Sequence, residues 1–283
     1  MNSQTKYEKS YSFEFFPPKT DKGVEKLQAV QAELAARKPA FFSVTYGAGG
    51  STRDRTFATV VRVKEGTGVS TAPHLSCVGD TKAQLGELLQ QYKDQGIDQL
   101  VALRGDLPSG MGASLGELKY ASDLVAFIRE QTGDHFHLEV AAYPEKHPQA
   151  KSMAADLQAF KTKVQAGASS AITQYFFNVD AYKFFVDSCE KLNLDLPIVP
   201  GIMPITNYEN LVRFSGMCGA EIPRWIRVRM EEFQGDHDSI RQLGEEIITN
   251  LCAELLEMGA PGLHFYTLNQ AEPTLAIWDN LGL

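Results

Sequence analysis

Short apolar runs and amphipathic stretches alternate along almost the whole chain. The apolar runs are roughly four to eight residues long and end at glycine, proline or charged residues, which is typical of buried parallel strands. Between them, apolar residues recur every three or four positions, as at Val24, Leu27 and Leu34, and this is the period of an amphipathic helix. The pattern predicts eight strands, within residues 11–16, 40–45, 71–75, 99–108, 137–142, 170–177, 197–201 and 262–266.

A predicted helix follows each of the first six strands, and more than one helix lies between the seventh and eighth. A turn at Ile222-Pro223 and an acidic loop are predicted between the last two of these helices. Connections of this length imply parallel strands, and eight parallel strands close into a barrel. We therefore predict an α/β protein with a (β/α)8 TIM barrel, a single domain over residues 1–283, and an extra helix between strands 7 and 8. The predicted helices span 21–37, 52–64, 81–95, 120–131, 150–166, 181–192, 207–217 and 239–258.

An open, doubly wound sheet is the competing fold. It is disfavoured because no predicted strand leads into a GxGxxG motif, and Gly47-Ala-Gly-Gly50 is only a glycine-rich loop. A bound flavin or nucleotide is therefore not expected to be held in the Rossmann manner.

Composition narrows the class of partner. The 283 residues carry a net charge of −8, which disfavours nucleic acid and anionic membranes as partners. No apolar stretch reaches the length of a membrane span, and the first ten residues lack the apolar core of a signal peptide. The four cysteines are far apart and form no CxxC motif. These features favour a protein of the reducing cytoplasm.

Polar residues collect where the predicted strands end. In parallel barrels the chemistry lies at the C-terminal ends of the strands, so these side chains are expected at one rim. Glu14 lies between Phe13 and Phe15, and a carboxyl facing the barrel interior loses solvation, gains a higher pKa and can donate a proton near neutral pH. Neighbouring aromatic residues favour a planar ligand. The rim residues are Glu14, Thr45, His74, Arg104, Asp106, Tyr143, His147, Gln174, Tyr266 and Asn269.

Other chemistries fit the sequence less well. His135 and His137 have the spacing of a metal-ligand pair, but they begin the fifth strand, away from the predicted rim, so no metal is expected. No GxSxG motif is present for a serine nucleophile. Arg104-Gly-Asp106 spells an adhesion tripeptide, which acts only in extracellular loops, and nothing else in the chain indicates an extracellular protein.

Six segments, in order from the first strand to the end of the seventh, closely resemble the bacterial type of methylenetetrahydrofolate reductases. Each is weakly specific alone, but six in the same order are strongly so. They are Phe13-Glu-Phe-Phe-Pro-Pro18, Ser43-Val-Thr-Tyr-Gly-Ala48, Leu103-Arg-Gly-Asp106, Ala142-Tyr-Pro-Glu145 with His147-Pro, Ile172-Thr-Gln174, and Pro200-Gly-Ile-Met-Pro204.

The resemblance implies a flavoenzyme in which NADH or NADPH reduces FAD, and FAD then reduces 5,10-methylenetetrahydrofolate to 5-methyltetrahydrofolate in a ping-pong cycle. Glu14 is implied as the general acid, and Asp106 as a catalytic and folate-binding residue beside the flavin. Gln174 is implied to recognise the folate, and Phe214 to stack on nicotinamide or pterin. The implied FAD-binding residues are Thr45, His74, Arg104, Gly105, Asp106, Tyr120, Tyr143, His147, Ala150, Asp156 and Lys163.

The family also suggests further properties. Its members supply methyl groups for methionine synthesis and form tetramers. The regulatory region of eukaryotic members is expected to be absent, because the chain ends one helix after the eighth strand. Gln270 departs from the family, which often has arginine there, so weaker binding of the folate's glutamate tail is expected. Two alternatives stay open at this stage: another FAD barrel such as a proline dehydrogenase, and a non-catalytic flavin- or folate-binding barrel.

Overall fold

The computed structural model describes residues 1–46, 50–105 and 116–283. Strands and helices alternate along this part of the chain, as the hydrophobic pattern predicts. The strands are β1 Ser10–Phe15, β2 Phe41–Val44, β3 Thr71–Ser76, β4 Gln99–Leu103, β5 His137–Ala142, β6 Ser170–Thr173, β7 Ile198–Val199, β8 Gly201–Ile202 and β9 Gly262–Tyr266. The helices are α1 Asp21–Ala35, α2 Gly50–Thr67, α3 Lys82–Asp94, α4 Ala121–Thr132, α5 Met153–Gln165, α6 Val179–Lys191, α7 Tyr208–Cys218, α8 Arg224–Glu232, α9 His237–Glu257 and α10 Glu272–Leu281.

The strands hydrogen-bond in the order β7-β6-β5-β4-β3-β2-β1-β9-β8. The order begins with β7 and ends with β8, and Pro200 joins these two strands in the chain. This is the order of a (β/α)8 fold whose seventh strand is divided, so the predicted fold class is confirmed. The single seventh strand predicted at 197–201 is wrong in detail, because proline has no N–H with which to continue a strand ladder.

Contacts divide the chain into two compact units. Unit 1 comprises Met1–Tyr11, Ala142–Gln158 and Ile172–Leu283, and unit 2 comprises Ser12–Ala141 and Ala159–Ala171. In unit 1, the ring of Trp278 packs against Tyr11 and Phe265, with ring centroids 5.3 and 6.3 Å apart. In unit 2, the core includes a cluster of phenylalanines on β1 and β2. The prediction of a single domain is not tested by this division.

The phenylalanines of β1 determine the direction of Glu14. Phe13 and Phe15 are buried and pack on Phe42, with ring centroids 6.1 and 5.1 Å apart. Because successive strand residues point to opposite faces, Glu14 points away from this apolar layer. The parallel register of β1 and β2 sets Glu14 opposite Ser43. The Glu14 carboxyl therefore lies on the face of the sheet opposite to the one that carries Phe13 and Phe15.

Two predicted elements are corrected. The acidic loop predicted after the turn at Ile222-Pro223 contains helix α8, so three helices, not two, lie between β8 and β9. The sixth strand ends at Thr173 instead of 177, and the backbone N–H of Gln174 still donates to Ala142 O at 2.8 Å. Within the described ranges, no helix is both long and apolar enough to cross a membrane.

Candidate active site

Glu14, Ser43 and His74 form a cluster in unit 2, which we call the Glu14 cluster. His74 Nε2 lies 3.1 Å from Glu14 Oε2, and the two side chains are 10% and 16% exposed. Ser43 Oγ lies 3.5 Å from the same carboxylate oxygen, at the limit of a hydrogen bond. The His74 contact is close but lacks the alignment of a hydrogen bond, so Nε2 has no aligned partner among the described residues. The sequence prediction that Glu14 and His74 belong to one site is consistent with this geometry.

The ends of β3 and β4 are joined at a turn that contains two predicted residues. Ser76 Oγ donates to Arg104 O at 2.8 Å, and Arg104 Nε donates to Gly105 O at 3.2 Å. Gly105 has φ of 88°, a conformation that favours glycine. A Cβ there would lie 2.0 Å from Ser76 Oγ, so the backbone approaches β3 closely. Asp106, predicted as catalytic, lies outside the described residues.

Cys77 lies beneath this turn. Its Sγ is 3.5 Å from Arg104 O and 3.7 Å from Tyr120 O. Burial raises the pKa of the Cys77 thiol to about 11. The thiol is therefore protonated at neutral pH and has a structural role, not a nucleophilic one.

Three more predicted cofactor residues lie at separate places in unit 2. Thr45 follows β2, and its N–H donates to Phe15 O at 2.8 Å. Tyr120 precedes α4 and is 62% exposed. Lys163 is on α5, donates from Nζ to Ala141 O, and lies 5.5 Å from the ring centroid of Phe160.

The predicted residues of unit 1 are brought together by the loop after β5. We call residues 143–152 the β5 loop. The rings of Tyr143 and His147 meet edge to face, with centroids 4.6 Å apart. The N–H of His147 donates to Asp156 Oδ2 at 2.7 Å, and the N–H of Ala150 donates to His147 O at 2.9 Å. Asp156, in the first turn of α5, therefore orders the loop that carries the other three residues.

Gln174 and Phe214 lie on different elements of unit 1. Gln174 follows β6, and its Oε1 accepts the N–H of Tyr175 at 3.0 Å. Gln174 and Tyr143 line the same small cavity of about 10 Å³. Phe214 is on α7, with the Arg213 guanidinium 4.9 Å from its ring centroid.

Three serines in these contacts are assigned no role from the sequence, and Tyr175 is counted there only among the neighbouring aromatic residues. Ser43 and Ser76 have a detectable signal, because each is a polar residue in a fully buried strand. Tyr175 and Ser215 have none, since their hydroxyls meet across 40 positions of the chain. Sequence periodicity describes single elements and does not pair residues of different ones.

A larger groove lies elsewhere in unit 1. It has a volume of about 580 Å³ and contains none of the predicted residues. Its lining includes Glu221, Arg224, Arg229, Glu246 and Glu254. Cofactor sites are mostly apolar with a few polar groups, so this charged groove does not suit a flavin. Across the described ranges, no three His, Cys, Asp or Glu side chains are grouped to hold a metal ion.

Comparison with known proteins gives one consistent result. The sequence profile of a family described as methylenetetrahydrofolate reductase matches residues 1–282. The chain is 43% identical over 272 residues to the 5,10-methylenetetrahydrofolate reductase of Pectobacterium carotovorum subsp. carotovorum, which covers 96% of this chain and 90% of the relative. It is 38% identical over 286 residues to methylenetetrahydrofolate reductase (NADH) 1 of Zea mays, which covers 97% of this chain and 48% of that protein.

The fold is also similar to a solved structure. This is an uncharacterized protein from Clostridium thermocellum that binds two copies of 5-methyl-5,6,7,8-tetrahydrofolic acid. The match has a TM-score of 0.68 and covers 100% of this chain and 99% of that one. With 19% sequence identity, it is a likeness of fold.

Proposed function

Because this chain belongs to the methylenetetrahydrofolate reductase family, we propose that it reduces 5,10-methylenetetrahydrofolate to 5-methyltetrahydrofolate with NADH or NADPH. The observation that carries the proposal is the family match over residues 1–282, together with a carboxyl and an imidazole 3.1 Å apart at Glu14 and His74. NADH is the nucleotide in the name of the maize relative. The product is a methyl donor, which suits a role in methionine synthesis.

The residues of the chain fit a flavin cofactor. His74 Nε2 is buried and lacks an aligned partner among the described residues, and a buried polar atom of this kind suits the polar edge of a heterocycle. Arg104 and Lys163 supply positive charge suited to a pyrophosphate, and Asp156 supplies an acceptor suited to hydroxyl groups. FAD, when bound, supplies hydride transfer between the nucleotide and the folate.

We assign the binding of FAD to the eleven residues that the family resemblance implies. Those of unit 2 include the Arg104-Gly105 turn, which presents backbone groups and a guanidinium. Those of unit 1 are on the β5 loop and in the first turn of α5, where Asp156 accepts from the N–H of His147. The full set comprises Thr45, His74, Arg104, Gly105, Asp106, Tyr120, Tyr143, His147, Ala150, Asp156 and Lys163.

Glu14 is the proposed general acid. A carboxyl protonates the folate nitrogen so that the five-membered ring opens to a reactive iminium, and this step requires a proton donor. The Glu14 side chain is 16% exposed and lies on the strand face opposite its aromatic neighbours. Contacts from Ser43 and His74 hold the carboxyl in one place.

Gln174, Phe214 and Asp106 are the proposed contacts of the exchanging substrates. The amide of Gln174 can hydrogen-bond the folate, and the ring of Phe214 can stack on pterin or nicotinamide. A carboxylate at Asp106 can accept hydrogen bonds from N–H groups of the pterin. Because nicotinamide and pterin use the same position in turn, we expect ping-pong kinetics.

Replacing Glu14 by glutamine tests the proposed acid. Glu14→Gln keeps the shape of the side chain but removes its proton, so we expect NADH to bleach the flavin normally while folate reduction falls about 10²-fold or more. The two half-reactions are measured separately by anaerobic stopped-flow absorbance.

The matched control makes the same change at another strand carboxyl. Glu139 on β5 is 4% exposed and is assigned no role in the reaction, so Glu139→Gln is expected to leave both half-reactions unchanged. Full folate turnover by Glu14→Gln would show that another group donates the proton.

A further inference from the structure

Tyr175 and Ser215 form a buried hydrogen bond beside two proposed substrate contacts. Tyr175 Oη and Ser215 Oγ are 3.0 Å apart, and the two residues are 5% and 4% exposed. Tyr175 directly follows Gln174 in the chain, and Ser215 directly follows Phe214. The hydrogen bond therefore joins the segment that carries Gln174 to the helix that carries Phe214.

The hydroxyl groups of Tyr175 and Ser215 are hydrogen-bonded to each other without a ligand. Ser215 is on the buried face of α7, four residues after Leu211, where a hydroxyl without a partner is costly. Burial and a hydrogen bond to Cys218 raise the pKa of Tyr175 far above its usual value of 10. The Tyr175 hydroxyl therefore stays neutral over the physiological range, and the contact is a neutral hydrogen bond.

Two further contacts fix the end of α7 to the β5 loop. A Cβ at Gly219 would lie 2.9 Å from Pro148 Cγ, so helix end and loop are closely packed. The N–H of Glu221 donates to Glu145 Oε2 at 2.8 Å. The end of the helix is held there, and the Tyr175 contact acts at the turn that carries Phe214.

We propose that Tyr175 and Ser215 are a positioning pair that sets the placement of Phe214 relative to Gln174 and so determines the affinity for the folate. The inference rests on the proposed function and extends it to residues that touch no substrate. The ring of Phe214 and the amide of Gln174 must both contact a planar ligand. Hydrogen bonds and ring stacking both weaken steeply when the distance between the partners departs from its optimum. A shift of α7 that misplaces Phe214 would therefore weaken binding without altering the reacting groups.

The test is the variant Tyr175→Phe, which removes only the hydroxyl. Binding of 5-methyltetrahydrofolate to the FAD-loaded protein is measured by calorimetry, and steady-state kinetics give KM and kcat. We expect the Kd to rise about five- to tenfold, as for the loss of one neutral hydrogen bond, with a parallel rise in the KM for the folate substrate. Both FAD content and kcat are expected to stay near wild type.

Tyr182→Phe is the matched control. Tyr182 is a fully buried tyrosine of the same unit, and its hydroxyl donates to Ile198 O of β7 at 2.6 Å instead of to helix α7. Its loss is expected to lower the melting temperature but leave the folate Kd within about twofold. Ser215→Ala should weaken binding as Tyr175→Phe does, and the double variant should bind no worse than the weaker single variant.

The outcomes separate the two proposals. Folate binding by wild type with an unchanged Kd in Tyr175→Phe would overturn the positioning role alone. Equal weakening by Tyr175→Phe and Tyr182→Phe would overturn it too, because the effect would then be general destabilisation. Absence of folate binding by the wild-type protein would overturn both the proposed function and the positioning pair.

Discussion

Gly105 occupies a backbone position that other residues cannot adopt without strain. Its φ is 88°, and an added Cβ would lie 2.0 Å from Ser76 Oγ. Gly105→Ala therefore meets both a conformational cost and a steric one, and we expect the free energy of unfolding to fall by about 2–4 kcal/mol. Urea unfolding measures the change, and FAD content is expected to fall with it.

Gly86 provides a control at which alanine is expected to change the free energy of unfolding in the opposite direction. It lies inside α3, and an added Cβ would meet nothing within 4 Å. Gly86→Ala is expected to stabilise the protein by about 0.5–1 kcal/mol, because alanine loses less backbone entropy in a helix. If the two substitutions had equal effects, the turn at Gly105 would not be constrained as the structure indicates.

For single residues, the sequence predicts the direction in which a side chain points better than it predicts which residues that side chain contacts. Because successive residues of a strand point to opposite faces, the sequence of β1 is enough to predict that Glu14 points away from Phe13 and Phe15. Its 3.1 Å approach to His74 was beyond prediction, because it depends on how β1, β2 and β3 pair across distant parts of the chain. The Tyr175 contact with Ser215 was missed for the same reason.

Among elements, the β5 loop is held by a carboxyl with a shifted pKa. Burial raises the pKa of Glu145, the charge of Glu221 raises it further, and the Glu221 N–H lowers it. The folded state therefore favours the protonated carboxyl of Glu145. The stability that this adds is present below 4.5, the pKa in the unfolded chain, and it is lost as the pH rises through the higher pKa of the folded protein. We expect Glu145→Gln to gain stability relative to wild type as the pH rises above 4.5. Glu145→Ala should instead lose about 1 kcal/mol, because Glu221 N–H loses its acceptor. Melting temperatures measured across this range test both.

Glu190 is the control for the direction of this pH effect. Hydrogen bonds from Ser3 lower its pKa, so its contribution to stability is present at neutral pH and lost as the pH falls. Glu190→Gln is therefore expected to lose stability relative to wild type above about pH 4, the reverse of Glu145→Gln. Parallel pH profiles for the two variants would contradict the assignment for Glu145.

Elements in which hydrophobic residues recur with a clear period are predicted closely, and an element without such a period is missed. β5 and β9 have the predicted bounds, and α7 begins at Tyr208, one residue after the predicted start. Helix α8 follows a proline and is rich in charge, so its sequence favours the acidic loop that we predict there. Only two of its apolar residues, Ile226 and Met230, are buried, and two positions are too few for a periodic signal.

For the whole molecule, the net charge of −8 limits how anionic ligands are held. FAD and folates are themselves negatively charged, so we expect their recognition to depend on local cations such as the proposed contacts Arg104 and Lys163, not on the overall field. The predicted tetramer and the weaker contact expected from Gln270 follow from family resemblance and stay predictions. The fold class was predictable from the alternation of strands and helices, which is a property of the whole chain.

The most direct test of the central claim is the visible absorbance of the purified protein during anaerobic addition of NADH and then of 5,10-methylenetetrahydrofolate. We predict a yellow, FAD-containing protein whose absorbance bleaches with NADH and recovers with the folate, as 5-methyltetrahydrofolate is formed. A colourless protein that takes up no FAD, or a bleached flavin that the folate does not restore, would contradict the account.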